Sequence, residues 1–393
     1  MSLRVLSLST LFPNPARPAF GRFVANQMAA LASRDDIDLT MIAPTGIAPW
    51  PLSMREPYAS LRAVPAVSDW QGITVHYPRF RVVPGLADSN PERLAKAVLP
   101  LVRRLHAARP FEVIDAQFFF PDGPAAAIVA RELGLPLSIK ARGSDIHLWG
   151  GRPAALAQII TAANQAAGML SVSEALKRDM VALGMAAEKI TVHYTGLDHS
   201  RFRPTPRAEA RAALGLDDAA LFVCPGALIA IKGQALAIEA LAAIPAARLA
   251  LAGHGPDEPA LKALASRLGL ADRVLFLGQI DHAKLVQWLC AADAMVLPST
   301  REGLANVWLE ALACGTPVVI PDIGGAREIV RDSSAGRITD RTPQAIAAAL
   351  TDLLANPPQQ ADVARNAERF SWEENAAGLS AHFHRIAERY SGD

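Results

Sequence analysis

Residues 291–330, AADAMVLPSTREGLANVWLEALACGTPVVIPDIGGAREIV, decide the fold of this chain. Ala294 to Leu297 is a short apolar run closed by Pro298, Val307 to Ala313 carries apolar residues at helical recurrence, and Thr316 to Ile320 is β-branched and again closed by a proline. Strand, loop, helix, strand and a Gly-Gly loop make a βαβ unit. Ligands of such units sit beyond the carboxyl ends of the strands.

Two carboxylates bracket its helix. With a helix start near Leu304, Glu302 lies in the preceding loop and Glu310 two turns in, a span of about 12 Å at 1.5 Å per residue. The amides of Gly303, Leu304, Ala305 and Asn306 then face the positive end of the helix, where an anion is favoured. A ligand with hydroxyls at both ends and phosphates between fits this arrangement, and a nucleotide-sugar is such a ligand. The plainer reading is a dipole-friendly charge and a solvated helix residue, but Glu310 sits inside WLEALA, where a lone surface glutamate is less expected.

The run EGLANVWLEALACGTPVV followed by GGAREIV resembles the E-x7-E region of glycosyltransferase family 4, retaining enzymes of the GT-B fold. The resemblance implies that Glu302 contacts the donor sugar and Glu310 holds the ribose. Weaker matches run from the first strand to the last helix and so cover nearly the whole chain.

A length of 393 residues suggests two domains, and 51% hydrophobic with 20% charged residues excludes disorder. The net charge of +1 excludes a strongly basic nucleic-acid binder. Residues 1–200 carry 20 Lys+Arg against 16 Asp+Glu, or +4, and the rest carry 19 against 22, or −3. A mildly basic first half suits an acidic acceptor or a membrane surface. No run approaches 18 apolar residues and no signal peptide is recognisable, so the expected location is the cytoplasm, with association at the inner face of the membrane. Cys224, Cys290 and Cys314 are far apart in sequence and lack disulfide or zinc spacing, which makes them buried structural thiols. Asp36-Ile37-Asp38 has the D-x-D form of a metal-binding transferase motif, but it follows Arg34 and Asp35 in a polar turn, where solvation explains it. With no other ligand cluster, no metal and no cofactor are expected.

Elsewhere the chain alternates. Leu3 to Ser9 reads as a strand, Thr10 to Gly21 as a loop, and Arg22 to Leu31 as a helix, without a G-x-G-x-x-G. Gly21 is either a point of close ligand approach or simply the glycine that starts a helix. Further strands are expected at Asp38 to Ala43, Ile73 to Tyr77, Val113 to Ala116, Pro136 to Ala141, Gly168 to Val172 and Ile190 to Tyr194, with Gly46 to Asn90 read as loops. Arg142-Gly143-Ser144-Asp145 ends the Pro136 strand and resembles the family's His-Gly-x-Asp element, with Arg142 in the histidine position. An arginine there can hold a carboxylate or phosphate bidentately, or be a solvated strand-end residue.

Tyr194 to Pro204 loses periodicity and resembles the family's hinge. The expected domains are 1–195 for the acceptor, 205–370 for the nucleotide-sugar, and 371–393 as a helix crossing back to the first. The fold class is α/β of GT-B type, two Rossmann-like domains with parallel sheets facing across a central cleft. Second-domain strands are expected at Leu221 to Pro225, Arg248 to Ala252, Val274 to Gly278, Met295 to Leu297 and Pro317 to Ile320. Pro225-Gly226-Ala227 through Lys232-Gly233 resembles the family's G-R-L…K-G segment, in which an Arg and a Lys hold the diphosphate. Lys232 is present, but Ala227 stands where the Arg belongs; Arg22, Arg142 or Arg301 are candidates to replace it. With 32 arginines and only 7 lysines, a lysine at a loop-to-helix junction is informative. Gln279 and Ile280 fall where family members meet the base, and His254 reads as a turn residue.

The resemblance implies a retaining, metal-independent hexosyltransferase. Its donor is a nucleoside-diphosphate sugar, UDP-linked, and its acceptor a glycan or lipid-linked molecule of cell-envelope polysaccharide or glycolipid synthesis. Peripheral membrane contact through the first domain is expected, and nucleic acid is not. In the expected chemistry Glu302, Lys232, Asp145 and Arg142 are catalytic, while Gly21, Gly226, Gly303 to Asn306, Glu310, Gln279 and Ile280 bind donor. An epimerase or phosphorylase of the same fold, or a non-catalytic nucleotide-binding subunit, are the alternatives.

Overall fold

A computed structural model describes residues 2–392. They form two compact units, one running to Gly196 and taking in the last helix, Trp372–Gly392, the other spanning Leu197–Ser371. The first unit holds β1 (Leu3–Leu8), β2 (Ile37–Ile42), β3 (Thr45–Ile47), β4 (Val67–Trp70), β5 (Ile73–His76), β6 (Arg79–Arg81), β7 (Val113–Ala116), β8 (Leu137–Ala141), β9 (Gly168–Ser171) and β10 (Ile190–Val192). Eight of these form a sheet in the order β10-β9-β8-β7-β1-β2-β5-β4, and β3 pairs with β6 apart from it. Every pairing in the large sheet is parallel except the β4–β5 hairpin at its edge. The near-continuous apolar runs are what a parallel sheet covered on both faces requires: every residue of β7, β8 and β9 is buried.

The helix Trp372–Gly392 belongs to this unit. Leu379, Phe383 and Ile386 enter the same core as Val24 and Met28 of the helix Arg22–Ala32. Gly168 makes room for it, since a Cβ there would lie 2.6 Å from the His382 ring.

The second unit holds β11 (Leu221–Pro225), β12 (Arg248–Ala252), β13 (Val274–Gly278), β14 (Ala294–Val296), β15 (Val318–Ile320) and β16 (Gly336–Ile338), all parallel, in the order β13-β12-β11-β14-β15-β16. The strand order reverses between β11 and β14. A crevice opens outside the carboxyl ends of strands at such a reversal, and this is where doubly wound folds bind ligands. The helix Asn306–Ala313 buries Trp308, Leu309, Ala311, Leu312 and Ala313; burying Trp308 alone is worth about 3 kcal/mol.

Three differences from the expectations have physical causes. The stretch read as loops, Gly46 to Asn90, contains β3, β4 and β6. These are edge pieces of three or four residues, two of them with alternating burial, and too short for a periodicity signal. The β4–β5 turn is made by Gln71 and Gly72, both with positive φ, as a two-residue hairpin requires. The helix near Glu310 starts at Asn306 rather than Leu304, because Ala305 is extended; Glu310 is then its fifth residue, barely past one turn. Finally, β16 was not among the expected strands, being only three residues long; all three cysteines are free and buried, as expected, and Cys290 Sγ donates to Arg203 O at 3.5 Å. Among the described residues no helix is long and apolar enough to cross a membrane.

Candidate active site

In the second unit the loops leaving β11 and β14 meet at the strand-order reversal. Thr300 N donates to Ile231 O at 2.8 Å, which ties one loop to the other. Lys232 Nζ therefore reaches Glu302 Oε1 at 2.6 Å across 70 residues of chain, with both side chains more than three-quarters buried. The Gly-Gly loop after β15 supports the pair from behind. Gly325 N donates to Gly303 O at 2.8 Å, and Gly324, at φ 48°, lies so close that a Cβ would stand 2.2 Å from Glu302 O.

A cavity of about 360 Å³ opens here, walled by Gly226, Lys232, His254, Gln279, Ile280 and Glu310 among others. The six come from four different segments, those that follow β11, β12, β13 and β14, and five of them were expected at a donor site. His254 was expected to be an ordinary turn residue, and it too faces the cavity. The signal for it was the Gly253-His254-Gly255 turn. A Cβ on either glycine would strike the backbone of the β11 loop, at Gly226 O or Leu228 O, so the two loops are packed backbone to backbone. The segment Gly303 to Asn306 lies beside Glu302 and does not line the cavity. The amides of Leu304, Ala305 and Asn306 donate to no protein acceptor among the described residues. Ala227 has no charge to offer, and its carbonyl accepts from Gln234 Nε2 at 2.9 Å.

Glu310 is electrostatically unusual. Its carboxyl accepts no hydrogen bond among the described residues, and burial pushes its pKa from the ordinary 4.5 up to about 7, against the pull of the Arg201 charge. The helix that carries it is otherwise apolar, which explains the desolvation.

The first unit has its own polar cluster at the carboxyl ends of β1, β7 and β8. Asp145 accepts the amides of Phe119 at 2.9 Å, Arg142 at 3.0 Å and Gly143 at 2.8 Å, with Ile146 at 3.2 Å; burial raises its pKa and these amides lower it. Its oxygens therefore build the turn Arg142–Ile146, a role the expectation of a catalytic Asp145 did not foresee. Arg142 is equally committed. Nε donates to Gln117 O at 2.7 Å, and Nη2 donates to Gln117 Oε1 and to Gln27 Oε1 at 3.2 Å; the guanidinium also lies over the Phe23 ring. It is neither a solvated residue nor a free bidentate fork, and burial lowers its pKa to about 10. Gly21 caps the Arg22–Ala32 helix with φ 67°, and a Cβ there would lie 2.3 Å from Leu11 O, so chain packing alone demands the glycine.

Sequence reasoning missed the centre of this cluster. Lys140 is fully buried and donates from Nζ to His193 Nδ1 at 2.7 Å and to Gln27 Oε1 at 3.0 Å, while His193 Nε2 donates to Asn375 O of the last helix at 2.7 Å. Burial drives the pKa values of both Lys140 and His193 well down. A lysine inside the apolar strand LSIKA, in a chain with so few lysines, was the available signal. The D-x-D carboxylates are engaged by arginines: Asp36 by Arg34, whose hydrogen bond takes its pKa to about 2, and Asp38 by Arg4 and Arg109.

The profile described as Glycosyltransferase Family 4 matches residues 20–201, and that of Glycosyl transferases group 1 matches residues 206–370. The teichuronic acid biosynthesis glycosyltransferase TuaC of Bacillus subtilis is 30% identical over 359 residues, 89% of this chain and 88% of TuaC. The chain belongs to glycosyltransferase family 4. It is accordingly an enzyme of the transferase class. A family relative, the GDP-mannose-dependent alpha-(1-6)-phosphatidylinositol monomannoside mannosyltransferase of Mycolicibacterium smegmatis, is 38% identical over 214 residues, 50% of this chain and 55% of that one. Among solved structures, Anabaena HepE in complex with UDP superposes with a TM-score of 0.73 at 24% identity, covering all of both chains. That likeness extends the GT-B fold to this chain.

Proposed function

We propose that this transferase moves a hexosyl group from a UDP-linked sugar to a glycan or lipid-linked acceptor of cell-envelope synthesis, with retention and without a metal ion. The observation that carries the reading is that Lys232 and Glu310 wall one cavity at the strand-order reversal, with Glu302 hydrogen-bonded to that lysine. A bound diphosphate would draw the Lys232 ammonium away from Glu302. The free amides of Leu304, Ala305 and Asn306 offer a second source of positive potential. Glu302, released from its partner, would then orient the hydroxyls of the sugar, and Glu310 those of the ribose. In the transfer step the bond from the anomeric carbon to the diphosphate oxygen breaks as the acceptor hydroxyl bonds to that carbon from the same face. The departing phosphate takes the acceptor's proton, and Lys232 stabilises the charge that develops on it.

The names of the relatives support the cell-envelope setting: teichuronic acid synthesis for TuaC and a phosphatidylinositol mannoside for the mycobacterial enzyme. The mycobacterial name gives GDP-mannose as donor, while the HepE complex holds UDP, which sets UDP against GDP. We place the reaction in the cytoplasm, at the inner face of the membrane.

Thermal shift with UDP, GDP and ADP, each with and without EDTA, tests the donor site. The expected result is a shift with UDP that survives EDTA. A shift confined to GDP replaces the base, and a shift lost in EDTA refutes the metal-free reading. Glu302→Gln is then expected to lower transfer about a hundredfold, a transition-state effect of about 2.7 kcal/mol, while leaving the UDP shift in place. Equal loss of both would remove Glu302 from the chemistry.

A further inference from the structure

The cavity of the second unit is poorly furnished with side-chain donors for a diphosphate. Among the described residues its titratable walls are Lys232, His254, His282 and Glu310. Lys232 is the one permanent cation of the four, and its ammonium already lies 2.6 Å from Glu302 Oε1. Each phosphate of a nucleotide-sugar brings negative charge, which the carboxylates of Glu302 and Glu310 repel. Ala227, exposed in the loop that leads to Lys232, has no side-chain donor. A further N–H aimed at the phosphates is needed.

The backbone shows which one is in place. Gly226 lies between the stem of Lys232 and the turn that carries His254. A Cβ on Gly226 would stand 3.8 Å from Lys232 Cδ and Cε, and a Cβ on Gly253 would stand 2.0 Å from Gly226 O. Leu228 N donates to His254 O at 3.0 Å, and a Cβ on Gly255 would lie 2.3 Å from Leu228 O. On its other side Gly253 forms an antiparallel bridge with Gly278, the residue before Gln279. The turn is therefore wedged between the loop after β11 and the end of β13. This fixes the root of the His254 side chain, while the residue stays exposed and walls the cavity. Among the described residues the His254 ring makes no hydrogen bond and no ion pair. His282 is placed differently, for it opens the helix His282–Ala291 and its ring packs on Phe202 with centroids 5.8 Å apart.

We propose that His254 binds the diphosphate of the donor, its ring N–H donating to a phosphate oxygen on the side of Gly226 away from Lys232. The lysine then meets the diphosphate as a point charge and the histidine as a directed donor, and together they do what Ala227 cannot. The proposal rests on the nucleotide-sugar reading and adds to it a residue that the sequence presented as an ordinary turn.

The test compares UDP with uridine, which has the same base and ribose and no phosphate. Affinities are measured by titration calorimetry for UDP and by ligand-observed NMR for uridine, on the parent, His254→Ala and His254→Gln. His254→Ala is expected to weaken UDP about tenfold and to leave uridine unchanged, and His254→Gln, whose amide can donate in place of the ring, to lose less. Ala227→Arg added to His254→Ala should restore UDP affinity, since Ala227 is exposed and a longer side chain has room there. Unfolding temperatures of the ligand-free proteins should stay at the parent value, because His254 is exposed. The proposal is overturned if His254→Ala binds UDP as the parent does. It is also overturned if uridine weakens as much as UDP, for the ring would then hold the nucleoside or merely shape the loop. If the parent binds GDP alone, the same losses are expected with GDP against guanosine, and only the base is corrected. A parent that binds no nucleoside diphosphate overturns the nucleotide-sugar reading itself, and the role of His254 with it.

Discussion

Two clusters of charged groups stand at the carboxyl ends of the two sheets, and they are wired in opposite ways. In the first unit Asp145 spends its oxygens on four backbone amides, Arg142 is clamped by Gln117 and Gln27, and Lys140 is held by Gln27 and His193. In the second unit one hydrogen bond joins Lys232 to Glu302, and the Glu310 carboxyl accepts none among the described residues. Satisfied buried groups rigidify what they touch, whereas an unsatisfied one carries a cost that a ligand can relieve. The first cluster is therefore held by its own chain, and the second leaves a cost that a ligand could relieve.

Asp145→Ala is the strongest test of the scaffold side. Four buried amides lose their acceptor at once, and urea unfolding should show a loss of about 4 kcal/mol. Should stability hold while transfer vanishes, Asp145 would move to the reactive groups and the contrast would fail.

Glu310→Gln probes the open side through pH. The folded pKa of about 7 lies above the unfolded value of 4.5, so the folded chain keeps a proton that the unfolded chain has given up. Stability from this group is therefore greatest below pH 4.5, falls as pH rises towards 7, and is lowest above it, a cost of roughly 3 kcal/mol. The glutamine variant should melt higher than the parent at pH 8 and equal to it near pH 4, by calorimetry. Nucleotide hydroxyls prefer the carboxylate, so UDP affinity of the parent should rise through pH 7, and titration calorimetry of the variant should show a flat profile.

Lys232→Met should act on binding and on folding together. UDP affinity should weaken about thirtyfold, near 2 kcal/mol, by titration calorimetry, and the melting temperature of the ligand-free protein should fall, since the largely buried Glu302 carboxylate loses its ion-pair partner. Gly324→Ala acts on the same loop. The added Cβ meets the Glu302 and Gly303 carbonyls at 2.2 and 2.6 Å on a backbone of positive φ, which should cost about 2 kcal/mol in stability by urea unfolding and lower kcat a few-fold in steady-state assays, with the UDP shift retained.

The sequence by itself determined five of the six strands of the second unit; β16 was not among those expected. β11, β12 and β13 fall on the expected residues, as does β7 in the first unit, because each is a short, largely apolar run closed by turn residues and that pattern is local, even for β13, an edge strand that is mostly half-buried. The E-x7-E spacing and the scarcity of lysine likewise pointed to Glu302, Glu310 and Lys232. Only the tertiary structure decided how those groups are engaged. The 70-residue reach from Lys232 to Glu302, the closed network around Lys140, and the roles of Asp145 and Arg142 depend on which loops pack together, and no window of sequence contains that. The raised pKa of Glu310 has the same origin, since desolvation is a sum over neighbours from many segments, while helical periodicity is a property of one.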